Sequence, residues 1–399
     1  MSKQTNIEPL ALNLMMVVYG FSLTSVGALL PIFLREFSIS PALGGAVAGA
    51  QGVGGIVTLF FGGWFADKID KLRASAIMFG AYAFALCCSA FIGAYATLLI
   101  VFFCIGLTTR LLDTLVNART ADTAGADRTR RLSLLHAAFG IGALLGPLYF
   151  QFVSRMVNWR IALALLGFLA ACIAVWFVFA VVRKTPRQTA APRPKEKISA
   201  FSSLGPKPLG DPAVWLLIAA MALYGVHQTG ITIWLPTFLI SRFALDPAVA
   251  NASLSLYWTA IVFGRIFASG LRSERAAVII LIQGMSVAGI AIAVGLLLNS
   301  VPAMFVAVAI AGFASGAVIP VLISVGCATH PEASGAVSSA FFITGSAVRI
   351  VVPSILGILI GVLGGPLGFG TTALVLFGAV GASGAALSSL KKRAGAKAA

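Results

Sequence analysis

The chain has 399 residues, of which 59% are hydrophobic and only 10% are charged, and its mean hydropathy is +1.00. Soluble domains carry roughly 25% charged residues, so this composition excludes a soluble enzyme, a disordered chain and a secreted disulfide scaffold. No soluble basic domain is present to carry the formal net charge of +16. We therefore interpret the excess cations as signals of membrane topology and expect no nucleic-acid partner.

Apolar runs long enough to cross a bilayer predict twelve transmembrane helices. In chain order the predicted spans are 9–34, 42–66, 74–92, 95–118, 132–155, 160–182, 213–240, 249–270, 275–298, 302–327, 333–363 and 367–390. A polar segment rich in proline separates the sixth span from the seventh. We expect an all-α membrane protein with two pseudo-symmetric six-helix bundles, over 1–182 and 213–399, joined by a cytoplasmic linker over 183–212.

The distribution of Lys and Arg predicts the orientation. If the N-terminus is inside, 21 of the 28 Lys and Arg residues fall in cytoplasmic segments and 4 in outer loops. Cytoplasmic loops of membrane proteins carry this excess of positive charge. We expect a monomeric, multi-pass protein of a cell membrane, such as the bacterial inner membrane, with both termini in the cytoplasm.

The two halves resemble each other at a nearly constant offset. Matching residues lie 205 or 206 positions apart along the chain: Tyr19 and Tyr224, Pro31 and Pro236, Gly106 and Gly312, Pro147 and Pro353. Such an offset indicates two parallel six-helix repeats with a solute path between them near the midplane of the membrane.

The loop between spans two and three runs from Gly63 through Asp67, Lys68 and Lys71 to Arg73. It resembles the signature loop of the major facilitator superfamily, Gly-x-x-x-Asp-Arg-x-Gly-Arg-x-x, and the likeness to that family extends over the full chain. The resemblance implies a transporter that works by alternating access, in which this loop latches one conformation. Alternatively, the cations of the loop only set the topology.

Span four carries Arg110, Asp113 and Asn117, and it is similar to the fucose-permease branch, whose fourth helix has an acid and, four residues later, an asparagine. The fucose permease has a second essential acid on span one, where this chain has Gly27 and no acid. In span five, Gly142-x-x-x-Gly146-Pro147 also resembles a motif of drug/proton antiporters. Close helix packing through small residues is the alternative reading of that motif.

Asp113 is the one acid well inside a predicted span, and a charge at that depth needs a partner or a functional reason. Arg110 lies on the same helical face three residues earlier. We predict that Asp113 couples transport to a proton, with His136 on the proton exit. The alternatives are a structural ion pair of Asp113 with Arg110 and, for His136, a solvated position at the end of its helix. Asn117 could make either a solute contact or a hydrogen bond between helices.

Further polar and aromatic residues within the spans are predicted solute contacts, although packing is the alternative for each. They are Tyr19, His227, Gln228 and Trp258, with Trp234 and Tyr257 as further stacking residues. Arg265 and Arg349 lie in spans of the C-terminal half that contain no acid. Arg349 could bind a carboxylate or phosphate of the solute, or reach Asp113. Arg265 is a further candidate solute contact, and the alternatives are that it snorkels to the cytoplasmic surface or replaces the signature-loop cations in the second repeat. Oxalate/formate exchangers are similar in carrying one cation on each of these spans.

These observations predict a secondary transporter, not an enzyme, that moves a small polar solute, sugar-like or a small organic acid, by proton symport through Asp113. Sodium is the alternative coupling ion. The rival functions are an organic-anion exchanger or uniporter using Arg349 and Arg110, and a multidrug/proton antiporter. All five cysteines lie in apolar runs, so we expect no disulfide and no metal, and we expect no cofactor.

Overall fold

The computed structural model describes residues 7–66, 70–123, 127–186, 210–269, 274–330 and 333–398. Within these ranges the chain is helical and forms no strand. The first six α-helices are α1 (Ile7–Glu36), α2 (Pro41–Ala66), α3 (Lys71–Cys87), α4 (Tyr95–Thr123), α5 (Arg128–Met156) and α6 (Trp159–Ala180). The others are α7 (Pro212–Phe243), α8 (Pro247–Ser269), α9 (Glu274–Leu298), α10 (Val301–Ser315), α11 (Val318–Thr329), α12 (Ser334–Leu363) and α13 (Gly365–Ala398).

Ten segments of the described chain are helices long and apolar enough to cross a membrane. One of them, Val301–Thr329, joins α10 and α11, so the tenth predicted span is a helix broken at Gly316 and Ala317. Together with α2 and α8, these segments make twelve. The prediction of an all-α membrane protein with twelve spans is confirmed.

Polar residues next to the helix ends define where several helices begin. Asp70, Asn158, Asp211 and Ser300 each accept a hydrogen bond from a backbone N–H in the first turn of α3, α6, α7 and α10, respectively. The first N–H groups of a helix have no partner within it, and a bilayer core offers no water to satisfy them. Each cap therefore satisfies a backbone N–H group at the point where its helix begins.

The chain divides into two compact units. The first contains Met1–Glu196 with Pro247–Ser255, and the second contains Lys197–Asp246 with Leu256–Ala399, so α8 is shared between them. In the first unit α1 packs on α5, α2 on α4, and α3 on α4 and α6. In the second unit α7 packs on α12 and α13, and α9 packs on α10 and α13.

Close helix contacts repeat between the two units at the spacing seen in the sequence. In the first unit, a Cβ atom on Gly106 of α4 would overlap the carbonyl oxygen of Gln51 on α2. In the second unit, a Cβ atom on Gly312 of α10 would lie 2.6 Å from the carbonyl oxygen of Tyr257 on α8. The two glycines are 206 positions apart, and so are the two residues that they contact, Gln51 and Tyr257. Equivalent helices therefore approach at equivalent points. Small residues permit such approach, which drives helix association in membranes.

Candidate functional site

A polar cluster lies in the middle of α4. Asn117 Nδ2 donates to the backbone oxygen of Asp113 and to its Oδ1, at 2.8 Å in each case. Arg110 Nη1 lies 3.5 Å from the other carboxylate oxygen, Asp113 Oδ2. Spacings of three and four residues place these side chains on one face of the helix. We refer to Arg110, Asp113 and Asn117 as the α4 cluster.

The α4 cluster is partly sheltered from solvent, because the side chains of Arg110 and Asp113 are each only 23% exposed. Gly55 on α2 lies opposite, where an added Cβ atom would be 3.6 Å from Cβ of Arg110. A charge in an apolar helix is tolerated when a partner compensates it, as Arg110 does for Asp113. Protonation of the carboxylate would remove the charge that attracts the guanidinium, which gives the cluster two charge states.

The other predicted site residues of the first unit lie on α1 and α5. Tyr19 is buried, and its ring centroid is 5.1 Å from that of Phe139. His136, which is on the same helix as Phe139, is exposed. A Cβ atom on Gly20 would overlap the carbonyl oxygen of Phe139. Tyr19 is therefore next to a close approach of α1 and α5.

His227 lies in a buried polar region of the second unit. Its side chain has no exposed surface, and Nδ1 lies 2.9 Å from the carbonyl oxygen of Thr372 on α13. Because a carbonyl can only accept, Nδ1 carries the hydrogen of the neutral ring and Nε2 is left as an acceptor. Nε2 is buried and has no hydrogen-bond partner in the described part of the chain. The rings of Tyr224 and Tyr257 lie 6.2 and 6.4 Å away, centroid to centroid.

Arg265 on α8 belongs to the same region. Its guanidinium interacts electrostatically with the hydroxyl groups of Tyr224 and Tyr257. The Tyr224 hydroxyl donates to the backbone oxygen of Ser315 at 3.2 Å. Arg265 is partly buried and forms no ion pair with any acid among the described residues. This region therefore combines a cation with tyrosine hydroxyls, which are groups that can hold a carboxylate or a phosphate.

The remaining predicted solute contacts of the second unit differ in exposure. Gln228 on α7 is half-buried, and Trp258 is buried with its ring centroid 6.3 Å from that of Tyr257. Arg349 is exposed on α12, four residues before Pro353. Trp234 is 1% exposed, and its Nε1 donates to the backbone oxygen of Pro353 at 3.1 Å. The packing alternative therefore applies to Trp234.

The signature loop is only partly described. Gly63 lies in α2, whereas Asp67 and Lys68 lie outside the described residues. Lys71 Nζ is 2.5 Å from Asp122 Oδ2, so it ties the start of α3 to the end of α4. Arg73 Nε is 3.6 Å from Asp70 Oδ2, and Asp70 also caps α3.

One ion pair could not be read from the sequence. The side chain of Arg119, near the end of α4, is 6% exposed, and its Nε lies 2.7 Å from Oε1 of Glu8. Arg119 Nη2 also contacts Glu8 Oε2 at 3.2 Å. The two residues are 111 positions apart, and no local pattern signals their contact.

A family model of the major facilitator superfamily matches residues 12–353. No curated protein sequence matches the chain. Among solved structures, a bacterial homologue of the human lysosomal transporter Spinster is 14% identical, with coverage of 98% of both chains and a TM-score of 0.77. The nucleoside transporter NupG is 14% identical over 98% of this chain and all of its own, with a TM-score of 0.74. The human organic anion transporter MFSD10 is 15% identical over 96% of this chain and all of its own, with a TM-score of 0.70.

The helical fold and the match to the family model together give the class of this protein. The chain belongs to the major facilitator superfamily. It is therefore a multi-pass membrane transporter of small solutes and not an enzyme.

Proposed function

We propose that this transporter moves a small polar solute by alternating access and couples the movement to protons by symport through Asp113. The observation that carries the proposal is the α4 cluster, in which one carboxylate is shared between a cation 3.5 Å away and an amide 2.8 Å away. A proton and Arg110 compete for the same carboxylate. Competition of this kind is a coupling free energy, because whatever holds Arg110 elsewhere favours protonation of Asp113.

Solute binding supplies the second half of the coupling. When Asp113 is protonated, Arg110 becomes available to a hydroxyl or carboxylate of the solute, and Asn117 can both donate and accept. Departure of the solute returns Arg110 to Asp113, which expels the proton. The proton and the solute are then bound and released together, as symport requires.

A sugar-like solute or a small organic acid fits this chemistry. The spacing of Asp113 and Asn117 resembles the fucose-permease branch, whose solute is a sugar. NupG, which shares the fold, transports nucleosides and therefore molecules that contain a sugar. Tyr19, His227, Gln228 and Trp258 supply ring faces and hydrogen-bonding groups to the proposed solute path.

We place the proposed proton exit at His136, which is exposed on α5. The loop formed by Gly63, Asp67, Lys68, Lys71 and Arg73 is the proposed gate, and Lys71 is engaged by Asp122. The proposed topology has both termini in the cytoplasm and six-helix bundles over 1–182 and 213–399. The proposed membrane is the bacterial inner membrane.

Proton-driven uptake in proteoliposomes tests this function. A thermal-shift screen of neutral sugars, nucleosides and small carboxylates selects the solute, because a bound ligand stabilises the native state. We expect a pH gradient to drive its accumulation by the unaltered protein and not by Asp113→Asn. Asp127→Asn is the control, since it removes the same charge from an exposed position just before α5, where the side chain caps no helix. Undiminished accumulation by Asp113→Asn would overturn proton coupling at this residue.

A second candidate function, organic-anion exchange or uniport, is favoured by Arg265. This cation lies within electrostatic range of the hydroxyl groups of Tyr224 and Tyr257 and forms no ion pair with a described acid. Arg265→Gln and Arg349→Gln should then abolish uptake of a small dicarboxylate, whereas Arg242→Gln, which alters an exposed arginine bonded to Asn299, should not. Competition by neutral sugars would contradict this second function.

A further inference from the structure

A cavity of the first unit lies at the C-terminal end of α4, away from the middle of that helix. It has a volume of about 390 Å³ and lies among the start of α1, the ends of α4 and α6, and the start of α5. Thr120, which lines it, is ten residues beyond Arg110, or about 15 Å along the helix. The cavity is therefore separate from the α4 cluster. The distribution of Lys and Arg along the chain predicts that this end of α4 is on the cytoplasmic side of the membrane.

The charges around this cavity favour an anion. Arg131 and Lys184 line it, and neither forms an ion pair with any acid that the structure describes. The lining acid is Glu8, whose carboxylate is already engaged at both oxygens by Arg119. The charge of Glu8 is therefore balanced by Arg119, and Arg131 and Lys184 leave the cavity with a positive charge.

A buried hydroxyl gives a second, independent indication of a ligand. Thr120 is 6% exposed, and its Oγ1 has no hydrogen-bond partner among the described residues. A buried polar group without a partner is destabilising unless a bound molecule satisfies it. A hydroxyl can donate to an oxygen of an anion, as the neighbouring amide of Asn13 can.

The rest of the lining is apolar, with Pro9, Leu12, Leu134, Ala180 and Val181 beside the charged groups. We propose that this cavity is a second ligand site, in which Arg131, Lys184 and the hydroxyl of Thr120 bind a phosphate-type anion. The headgroup of an acidic phospholipid and free phosphate share this chemistry. The apolar wall favours the lipid, because its chains can lie along that surface while its phosphate meets the two cations.

Titration of the purified full-length protein with defined lipids tests the site. Thermal unfolding is followed in detergent with dioleoyl-phosphatidylglycerol, with dioleoyl-phosphatidylcholine and with inorganic phosphate. The variant Arg131→Gln/Lys184→Gln removes both lining cations. Its matched control is Arg130→Gln/Arg183→Gln, which removes two exposed cations at neighbouring positions that do not line the cavity.

We expect phosphatidylglycerol to stabilise the unaltered protein and the control variant. In the variant without the lining cations, the apparent Kd for phosphatidylglycerol should rise about tenfold or more. If inorganic phosphate binds at the site and phosphatidylglycerol does not, the ligand is a soluble anion. If phosphatidylglycerol binds and inorganic phosphate does not, the ligand is the lipid. Equal affinity in the lining and control variants would overturn the proposal, since the effect would then be one of general surface charge.

Thr120→Val provides a test that does not depend on the folding of the double variant. The substitution keeps the size of the side chain and removes only the hydroxyl. We expect the apparent Kd for the ligand to rise about threefold, the worth of a neutral hydrogen bond. Affinity equal to that of the unaltered protein would show that the hydroxyl does not bind the anion and would refute its assignment.

Discussion

Removing the charge of Asp113, alone and together with that of Arg110, separates a proton site from an ion pair that only stabilises α4. At 3.5 Å two unit charges attract by about 5 kcal/mol if the effective dielectric constant is about 20. The cost of desolvating both groups and their 23% exposure lower the net loss on Asp113→Asn to about 1–3 kcal/mol of unfolding free energy. The new amide still accepts from Asn117, so the local hydrogen bond is retained.

The double variant Arg110→Gln/Asp113→Asn removes both charges together. No cation is then left without its carboxylate, and the free energy of unfolding should return to within about 1 kcal/mol of the unaltered value. Stability is measured by thermal unfolding in detergent. A structural ion pair predicts that function returns with stability, whereas a proton site predicts that stability alone returns.

Accumulation in proteoliposomes distinguishes the two outcomes. A gradient of one pH unit stores about 1.4 kcal/mol per proton, so coupling of one proton to one solute accumulates the solute about tenfold. We expect about tenfold accumulation by the unaltered protein and by Asp127→Asn, and none by either variant at position 113. Exchange of labelled for unlabelled solute at equal pH should continue in Asp113→Asn, because it needs no net proton movement. Recovery of tenfold accumulation in the double variant would refute the proton site.

Two further predictions concern stability, and both are checked by unfolding in detergent. Gly106→Ala should lower the free energy of unfolding by about 1–3 kcal/mol, because the new methyl group would overlap the carbonyl oxygen of Gln51, whereas Gly361→Ala meets nothing within 4 Å and should not destabilise. Glu8→Gln should cost about 3–5 kcal/mol, since it leaves the buried Arg119 without its carboxylate, against about 0–1 kcal/mol for Asp122→Asn at a more exposed pair. Equal effects within either pair of variants would contradict the packing or burial argument behind it.

The α4 cluster could be predicted because its members are local. Arg110, Asp113 and Asn117 follow one another at three and four residues, and helical geometry alone places them on one face. The structure adds the distances and the shared carboxylate. The buried region around His227 could not be assembled in this way, because its partner Thr372 lies 145 positions along the chain on another helix.

The count of spans, the helical fold and the repeat were determined by the sequence itself. A bilayer demands about twenty apolar residues for each helix and allows no unsatisfied backbone, so composition along the chain is sufficient to read them. Tertiary structure alone decided that Glu8 pairs with Arg119, that Trp234 is a packing residue and that the tenth span is broken at Gly316. These features arise from contacts between helices, and in a membrane such contacts depend on how surfaces of similar hydrophobicity fit together, which no single segment records.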